Sequence, residues 1–564
     1  MTRVLFLATT IAAATLALSV PSSAAACGGF FCNANQPVNQ AAERIIFSKG
    51  ADGTVTAIIQ IQYSGPSESF AWMLPVDGNP DVAVSSDLAF QRLQTATNPQ
   101  YNLNTTVEGT CRSLSSAPPS SFGGGGWDAS GPSSDASADA GSPVTVVNQG
   151  SVGPFDFVVI AVDPEQEDRA TTAIEWLTDN NYDVNDFAAD RLRPYLDGGM
   201  NLLAFRLTKG NDAGSIRPVR LTFGSGAPSI PIRPTAVAAE NDMGVMVWVL
   251  GEHRAVPSNY LSLELNDALI NWFNSNSNYN DVVTRAANEA GGQGFVTELA
   301  GEAAPLASTI FQDFERGDWD RLAGTSWTNQ EGQLLDQAGF IFGAFDGARD
   351  AILQHLPLPD GVTSDQLIQC IRCYYPESEA DIEGFDPEAF IATFEELVIE
   401  PMDATRKIFE DHPYVTRLYT TMSADEMTKD PIFDFNPDLG ELSNVHTADR
   451  VIECAPTVRQ TSAPWRTTLP NGQVIRGTGN QWPTFTNDEM PANARISRVG
   501  TSGDGETVTD NVAAIGTTLT GYNATIPPPT PANSNCSVGR LSGSGIGVTA
   551  SLALLVVLFL RRRR

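Results

Sequence analysis

The sequence has little positive charge. Lys and Arg together number 34, against 66 Asp and Glu, and lysine occurs only at Lys49, Lys209, Lys407 and Lys429. The formal net charge is −32. Nucleic-acid-binding proteins need clustered Lys and Arg to neutralise phosphates, so this excess of acid argues against that class of function. Hydrophobic residues still make up 42% of the 564 positions, which excludes a wholly disordered chain, and the length suggests about three or four structural units.

The common catalytic and nucleotide-binding motifs are missing as well. The sequence contains no G-x-x-x-x-G-K-[ST], no H-E-x-x-H and no G-x-S-x-G. The four histidines, His253, His355, His412 and His446, stand singly, without the spacing of metal ligands. We therefore assign no catalytic residue, no cofactor site and no metal site from the sequence.

Calcium is the one cofactor that the sequence leaves open. Residues 434–440 begin like an EF-hand loop, but Leu439 and Val445 occupy the places that require Gly and an acid, so the match fails. A looser calcium site remains an alternative in so acidic a chain.

The first 26 residues have the pattern of a secretory signal peptide. Arg3 precedes an apolar run over 4–20, and the small residues Ala24 to Ala26 form a cleavage pattern. Cleavage after Ala26 would leave Cys27 as the first mature residue. A cysteine at that position also allows a lipoprotein, although the large aliphatic residue that such a site prefers is missing.

The other end of the chain predicts a membrane helix. Leu541 to Leu560 carry no charge, and 20 helical residues span about 30 Å, the thickness of a bilayer core. Four arginines follow, Arg561, Arg562, Arg563 and Arg564. Positive charge on this side places the C-terminus in the cytoplasm before any processing, so the body of the protein lies outside.

The residues before this helix complete a sorting pattern. A Pro-rich stalk leads to Asn535-Cys536-Ser537, a short Gly/Ser spacer, the apolar helix and the arginines. This order resembles the MYXO-CTERM sorting tail of myxobacterial surface proteins. The resemblance implies recognition of Cys536, removal of the helix by an intramembrane protease and lipid attachment at the thiol. The expected partners are then the membrane, through the helix or a lipid on Cys536, and the export and sorting machinery.

Six cysteines remain when Cys536 is set aside: Cys27, Cys32, Cys111, Cys370, Cys373 and Cys454. An even number in an exported protein favours disulfides, and six allow 15 pairings among which sequence does not choose. Cys27 lies close to Cys32 in the sequence, and Cys370 lies close to Cys373. If these pairs bond, Cys111 is left to bond with Cys454. The C-x-x-C spacing also fits a redox pair or half a zinc site.

The hydrophobic patterns predict an α+β fold. Strands are predicted at 43–47, 54–63, 70–76, 155–162, 201–207, 219–223 and 244–250. Helices are predicted after Ser86, after Asp163-Pro164, over 261–273 and 281–290, and after Asp386-Pro387.

These patterns divide the chain into eight segments. After the signal peptide (1–26), the segments are a β-rich start (27–112), a disordered Gly/Ser-rich insertion (113–143), an α/β continuation (144–301), a mostly helical region (302–455), a loose extended β region (456–525), the stalk with the sorting cysteine (526–540) and the membrane helix with its arginine tail (541–564).

Several stretches are similar to one known family. They are Cys27 to Cys32 with 37–45, Phe70 to Val76, and Met243 to Leu250. The set resembles the family called domain of unknown function 2330, from Cys27 to about Ala300, with a suspected continuation over 414–433. The resemblance implies an exported bacterial protein and brings no catalytic residues.

The leading hypothesis is an exported, envelope-anchored protein that acts without catalysis in binding, adhesion or envelope structure. The alternative is an exported hydrolase of polysaccharide or peptide that uses carboxylates as acid and base. A weaker alternative is a thiol oxidoreductase that uses Cys370 and Cys373. The sequence does not identify the ligand.

Overall fold

The fold is known from a computed structural model that describes residues 30–32, 39–64, 70–112, 143–153, 155–180, 182, 188–207, 217–224, 226–342, 346–376, 378 and 381–526. Several predicted features lie outside these residues: the signal cleavage site at Ala26 and Cys27, nearly all of the Gly/Ser-rich insertion, Cys536, and the segment 541–564 with Arg561 to Arg564. In the described part of the chain, no helix is long and apolar enough to cross a membrane.

The strands are β1 (Phe30–Cys32), β2 (Asn39–Lys49), β3 (Val55–Ser64), β4 (Phe70–Val76), β5 (Asp81–Val84), β6 (Gln100–Glu108), β7 (Val144–Val152), β8 (Phe155–Val162), β9 (Asn201–Leu207), β10 (Val219–Phe223), β11 (Ala239–Gly251), β12 (Arg254–Pro257), β13 (Leu261–Leu265), β14 (Gly294–Glu302), β15 (Tyr414–Met422), β16 (Phe433–Asn436), β17 (Val445–Glu453), β18 (Pro464–Thr468), β19 (Val474–Thr478), β20 (Asn493–Arg498) and β21 (Glu506–Asp510).

The helices are α1 (Asp87–Thr97), α2 (Arg169–Asp179), α3 (Ala188–Asp197), α4 (Ile232–Thr235), α5 (Tyr279–Glu289), α6 (Ala304–Ile310), α7 (Asp313–Ala323), α8 (Glu331–Phe342), α9 (Asp346–His355), α10 (Ser364–Gln369), α11 (Ile371–Tyr374), α12 (Pro387–Phe394), α13 (Glu400–Asp411) and α14 (Val512–Asn523). A π-helical turn, Glu395–Ile399, joins α12 to α13.

A ten-stranded mixed sheet is the centre of the molecule, in the order β21-β20-β13-β14-β15-β11-β2-β3-β10-β5. The hairpin of β2 and β3 is the one that the sequence predicts. Strand β11 pairs parallel with β2 on one side and antiparallel with β15 on the other. Strand β15 also pairs with β14, which ends more than 100 residues earlier in the chain. The large sheet is thus completed by a strand from a distant part of the sequence.

A second sheet of five strands, β1-β4-β9-β8-β7, packs against one face of the large sheet. Their shared core contains Ile45 and Phe47 from β2 and the stacked rings of Trp72 and Phe205 from the smaller sheet. Helices α2 and α3 cover the outer face of the smaller sheet, with Leu177 and Leu192 fully buried. Strand β4, predicted as a strand at 70–76, belongs to this second sheet and not to the sheet of the hairpin.

The opposite face of the large sheet is covered by α1, α5 and the helices from α6 to α13. Their core includes Ile46 and Trp248 from the sheet and Phe90 and Trp319 from the helices. A four-stranded sheet, β19-β18-β17-β6, extends this core. The described chain is thus a mixed α/β structure with helices on both outer sides of two packed sheets.

Two local predictions are wrong. Asp163 does not begin a helix: its carboxylate accepts a hydrogen bond from Glu165 N at 2.9 Å in a turn, and α2 starts after Asp168, which caps it instead. Residues 261–273 are not a helix, because the first five form β13 between β14 and β20 and the rest form turns.

The region 302–455 is helical only as far as Asp411, because β15 to β17 then pair with strands from distant parts of the chain. The region 456–525 is not loose either. It contributes β18 and β19 to the four-stranded sheet, β20 and β21 to the large sheet, and helix α14.

Candidate functional site

An open cleft lies between helix α5 and the ends of strands β2, β11 and β15. Its cavity volume is about 570 Å³, in the range of small-molecule sites. Strand residues line one wall and α5 lines the other: Ala42, Asp242, Gly244, Tyr419 and Thr421 on the strands, and Asn280, Asp281, Thr284 and Arg285 on the helix.

Helix α5 presents its polar face to the cleft because its apolar face is buried. Val282, Val283 and Ala286 pack into the core at helical spacing. The neighbouring residues Asp281 and Thr284 are not on this buried face, and both line the cleft. Thr284 Oγ1 lies 3.0 Å from the Thr421 Oγ1, and this bond ties the helix to strand β15.

An irregularity in β11 places the second carboxylate. Ala239 pairs with Gln40 and Gly244 with Ala42, so four residues of β11 oppose one residue of β2. Asp242 within this bend has a φ of 55°, a conformation that Asp tolerates better than most residues. Its amide donates to Ser423 Oγ at 3.1 Å, which fixes the bend against the end of β15.

Tyr419 forms the wall of the cleft beside Gly244. Its side chain is only 8% exposed, and its hydroxyl has no hydrogen-bond partner within the described part of the chain. A Cβ at Gly244 would lie 3.1 Å from this hydroxyl, so the glycine leaves the space in front of it open. Burial raises the pKa of Tyr419 to about 12, so the group stays protonated near neutral pH and can donate a hydrogen bond.

A buried ion pair lies behind this wall. Arg417 Nε is 2.6 Å from Glu298 Oε2, and both side chains are almost fully enclosed. Glu298 is the extra residue of a β-bulge in β14, since Thr297 pairs with Leu418 and Leu299 with Arg417. The bulge turns the carboxylate toward the guanidinium.

Neighbouring groups complete this buried network. Tyr279, the first residue of α5, donates its hydroxyl to Glu298 at 2.5 Å, and the Arg417 guanidinium donates to Thr97 Oγ1 and Asn98 Oδ1, each at 2.9 Å. Burial raises the pKa of Glu298, although Arg417 and Tyr279 both oppose the rise. The network fixes the start of α5 to β14, β15 and the end of α1, so the cleft is preorganised.

The chemistry of the cleft is hydrogen bonding and negative charge. No histidine or cysteine lines it, so the described lining offers neither a Cys–His nor a Ser–His pair for nucleophilic catalysis. The described residues also contain no group of three or more His, Cys, Asp or Glu side chains that could hold a metal ion. The polar groups of the described lining are three hydroxyls, one amide, two carboxylates and one guanidinium.

Four of the predicted disulfide cysteines are bonded. Cys111 joins Cys454, with a Cα–Cα distance of 4.7 Å across 343 residues of sequence, and Cys370 joins Cys373 at the junction of α10 and α11. Cys27 lies outside the described residues, and Cys32 ends β1. None of the bonded cysteines lines the cleft.

The calcium candidate at 434–440 has a structural role. The fully buried Asn436 donates from Nδ2 to Gly500 O and Gly503 O, at 2.7 and 2.9 Å, and accepts from Asp438 N at 2.9 Å. Asp438 Oδ2 accepts from Gly503 N at 2.7 Å. Asn436 Nδ2 thus holds the 500–503 loop through two backbone carbonyl oxygens, and Asp438 Oδ2 holds it through one backbone amide. The looser calcium site stays a prediction.

Sequence reasoning missed the residues of the cleft and of its support. Glu298 and Arg417 are charged residues in the interior of otherwise apolar or Thr-rich strands, and such a pattern signals a buried ionic group. Tyr419 carries no comparable signal, because its role depends on the gap that Gly244 leaves beside it.

Comparison with curated proteins and with solved structures finds no match for this chain. A bacterial family does match, over residues 21–316, which is more than half of the chain and includes the cleft residues of β2, β11 and α5. Strand β15, with Tyr419 and Thr421, lies outside that match, so the suspected continuation over 414–433 stays a prediction. The chain belongs to the family described as an uncharacterized protein conserved in bacteria, domain of unknown function 2330 (DUF2330).

Proposed function

We propose that this protein is exported, anchored in the cell envelope, and binds a small hydrophilic ligand in the cleft beside α5 without catalysing a reaction. The observation that carries the binding proposal is the Tyr419 hydroxyl. It is protonated and unpartnered among the described residues, and it ends a side chain that is mostly buried and lines the open cleft. This hydroxyl is free to donate a hydrogen bond to a ligand oxygen in the cleft.

The proposed location is supported by the sequence and by the disulfides. The signal pattern before Cys27 and the apolar segment predicted from sequence before Arg561 to Arg564 support this orientation. Two disulfides in one chain fit an oxidising compartment. A reporter enzyme fused after residue 530 should be active outside the inner membrane; activity confined to the cytoplasm would contradict the location.

Binding can be tested by thermal unfolding in the presence of single monosaccharides and amino acids. A compound that binds the folded state raises the unfolding temperature with concentration. We expect at least one such compound, and we expect Tyr419→Phe to weaken its binding by about three- to tenfold through the loss of one hydrogen bond.

Tyr414→Phe is the matched control, because it removes a hydroxyl from the same strand away from the cleft. Equal binding by the wild type and the Tyr419→Phe variant would contradict the proposed site.

The two carboxylates in one cleft are the observation that favours the hydrolase alternative. Release of sugar from a polysaccharide by the wild type, abolished in Asp242→Asn or Asp281→Asn, would identify a hydrolase. We expect no such turnover.

A further inference from the structure

We infer that the cleft beside α5 selects a hydroxylated ligand that carries a primary ammonium group, as an amino sugar does. This inference rests on the proposed binding function and adds the chemical class of the ligand. It is carried by two carboxylates from separate elements, Asp242 and Asp281, that line the same cavity as the unpartnered Tyr419 hydroxyl.

The two carboxylates are available to a ligand. Within the residues that the structure describes, no Lys or Arg forms an ion pair with Asp242 or Asp281. Asp281 has no side-chain hydrogen bond there, and Asp242 has only a long contact of 3.4 Å with Ser423 Oγ. Each carboxylate can therefore accept hydrogen bonds from an ammonium group, which has three donors and no acceptor.

Arg285 is the single cation among the described residues that line the cleft, and it does not pair with either carboxylate. The Arg285 guanidinium donates from Nη1 to Phe485 O at 3.1 Å and from Nη2 to Met490 O at 3.0 Å. These bonds direct its terminal nitrogens to the 485–490 segment. The cleft thus combines two free carboxylates with one guanidinium that is already engaged.

An anionic ligand is disfavoured by the same arrangement. Its charge would face Asp242 and Asp281, and the first turn of α5, where an anion could otherwise bind, already contains Asp281. The net charge of −32 also raises the local concentration of cations around the protein.

Hydroxyl recognition comes from the remaining groups. The Tyr419 hydroxyl can donate to a ligand oxygen and accept from a ligand hydroxyl, and the Asn280 amide can do both through separate atoms. The hydroxyls of Thr284 and Thr421 bond each other but keep further capacity.

The test is calorimetric titration of the whole protein with glucosamine, glucose and N-acetylglucosamine, which differ at one position of the sugar. Glucosamine, with its amine protonated, should bind about tenfold more tightly than the two neutral sugars, because it gains a hydrogen bond to a charged acceptor. Raising the salt concentration should weaken only glucosamine binding.

Asp281→Asn and Asp242→Asn should each weaken glucosamine binding more than glucose binding, and so remove most of this tenfold preference. Asp197→Asn, which removes an equally exposed carboxylate at the end of α3, should leave the preference intact. Circular dichroism of each variant verifies that it has folded.

The outcomes separate the two proposals. Equal affinity for all three sugars, with a loss in Tyr419→Phe, would overturn the ammonium inference and leave the binding cleft in place. Saturable binding of none of the three sugars would overturn the ligand class. No effect of Tyr419→Phe on any of the compounds tested would overturn the cleft itself.

Discussion

Glu43 gives the sharpest test of the fold, because its carboxyl lies in the apolar core between the large sheet and the five-stranded sheet. It is 5% exposed, and its strand neighbours across the sheet are Ile61 and Val245. The nearest polar contact is Gln40 Nε2, at 3.5 Å, and the Gln40 Oε1 atom is buried without a hydrogen bond to any described residue. Burial raises the pKa of Glu43 to about 7, although Gln40 opposes the rise.

The direction of the stability effect follows from proton binding. Below pH 4.5, the ordinary pKa of this carboxyl, both the folded and the unfolded chain hold the proton, and Glu43 costs nothing extra. As the pH rises toward about 7, the unfolded chain ionises first, so the folded state loses stability. The loss should be about 1 kcal/mol at pH 5 and about 3 kcal/mol at pH 8.

The perturbation is Glu43→Gln, which keeps the shape and removes the ionisation. The new amide can also donate to Gln40 Oε1. Compared with the wild type, the variant should therefore gain about 2 to 3 kcal/mol more in free energy of unfolding at pH 8 than at pH 5. Urea unfolding at both pH values, followed by circular dichroism, measures this difference.

Glu240→Gln on strand β11 is the control, because Glu240 is exposed and should change stability by less than about 0.5 kcal/mol at either pH. If Glu43→Gln changed stability equally at pH 5 and pH 8, the folded protein would not hold a proton on Glu43, and the reasoning from burial would fail.

Two further predictions concern the support of the cleft and the long-range disulfide. Glu298→Gln should lower the free energy of unfolding by about 3 to 5 kcal/mol, since it leaves the buried Arg417 without its anion. The double variant Glu298→Gln/Arg417→Met should lose less stability than the single variant. A loss under about 1 kcal/mol in the single variant would contradict the buried pair. Replacing both Cys111 and Cys454 by Ser should cost about 2 to 5 kcal/mol, because the bond closes a very long loop in the unfolded chain; an unchanged unfolding temperature would refute this contribution.

Local patterns in the sequence predicted several elements well. The hairpin of β2 and β3 is confirmed, because two alternating runs joined by a short turn contain all the information that their pairing requires. Ser86 accepts a hydrogen bond from Ala89 N and caps α1, and Asp386 caps α12 as predicted. Each of these features depends on residues close together in the chain.

Predictions failed where pairing joined distant segments. Residues 261–265 became a strand because β14 and β20 flank them, and β20 lies more than 200 residues further along the chain. Helix α2 is capped by Asp168 and not by Asp163. The Asp168 carboxylate accepts a hydrogen bond from Thr171 N and forms an ion pair with Arg193 of α3. A local signal was overridden in each case by a partner that the local sequence does not contain.

The sequence by itself determined the acidic character, the resemblance to the family, the hairpin and several helix caps, since charge, motifs and caps depend on residue identity and short spacing. The tertiary structure alone decided the cleft. Tyr419 reaches it only because β15 pairs with β11, and Glu298 meets Arg417 only because a bulge shifts one strand against another. Such contacts depend on the register between strands far apart in the chain, which no local pattern specifies.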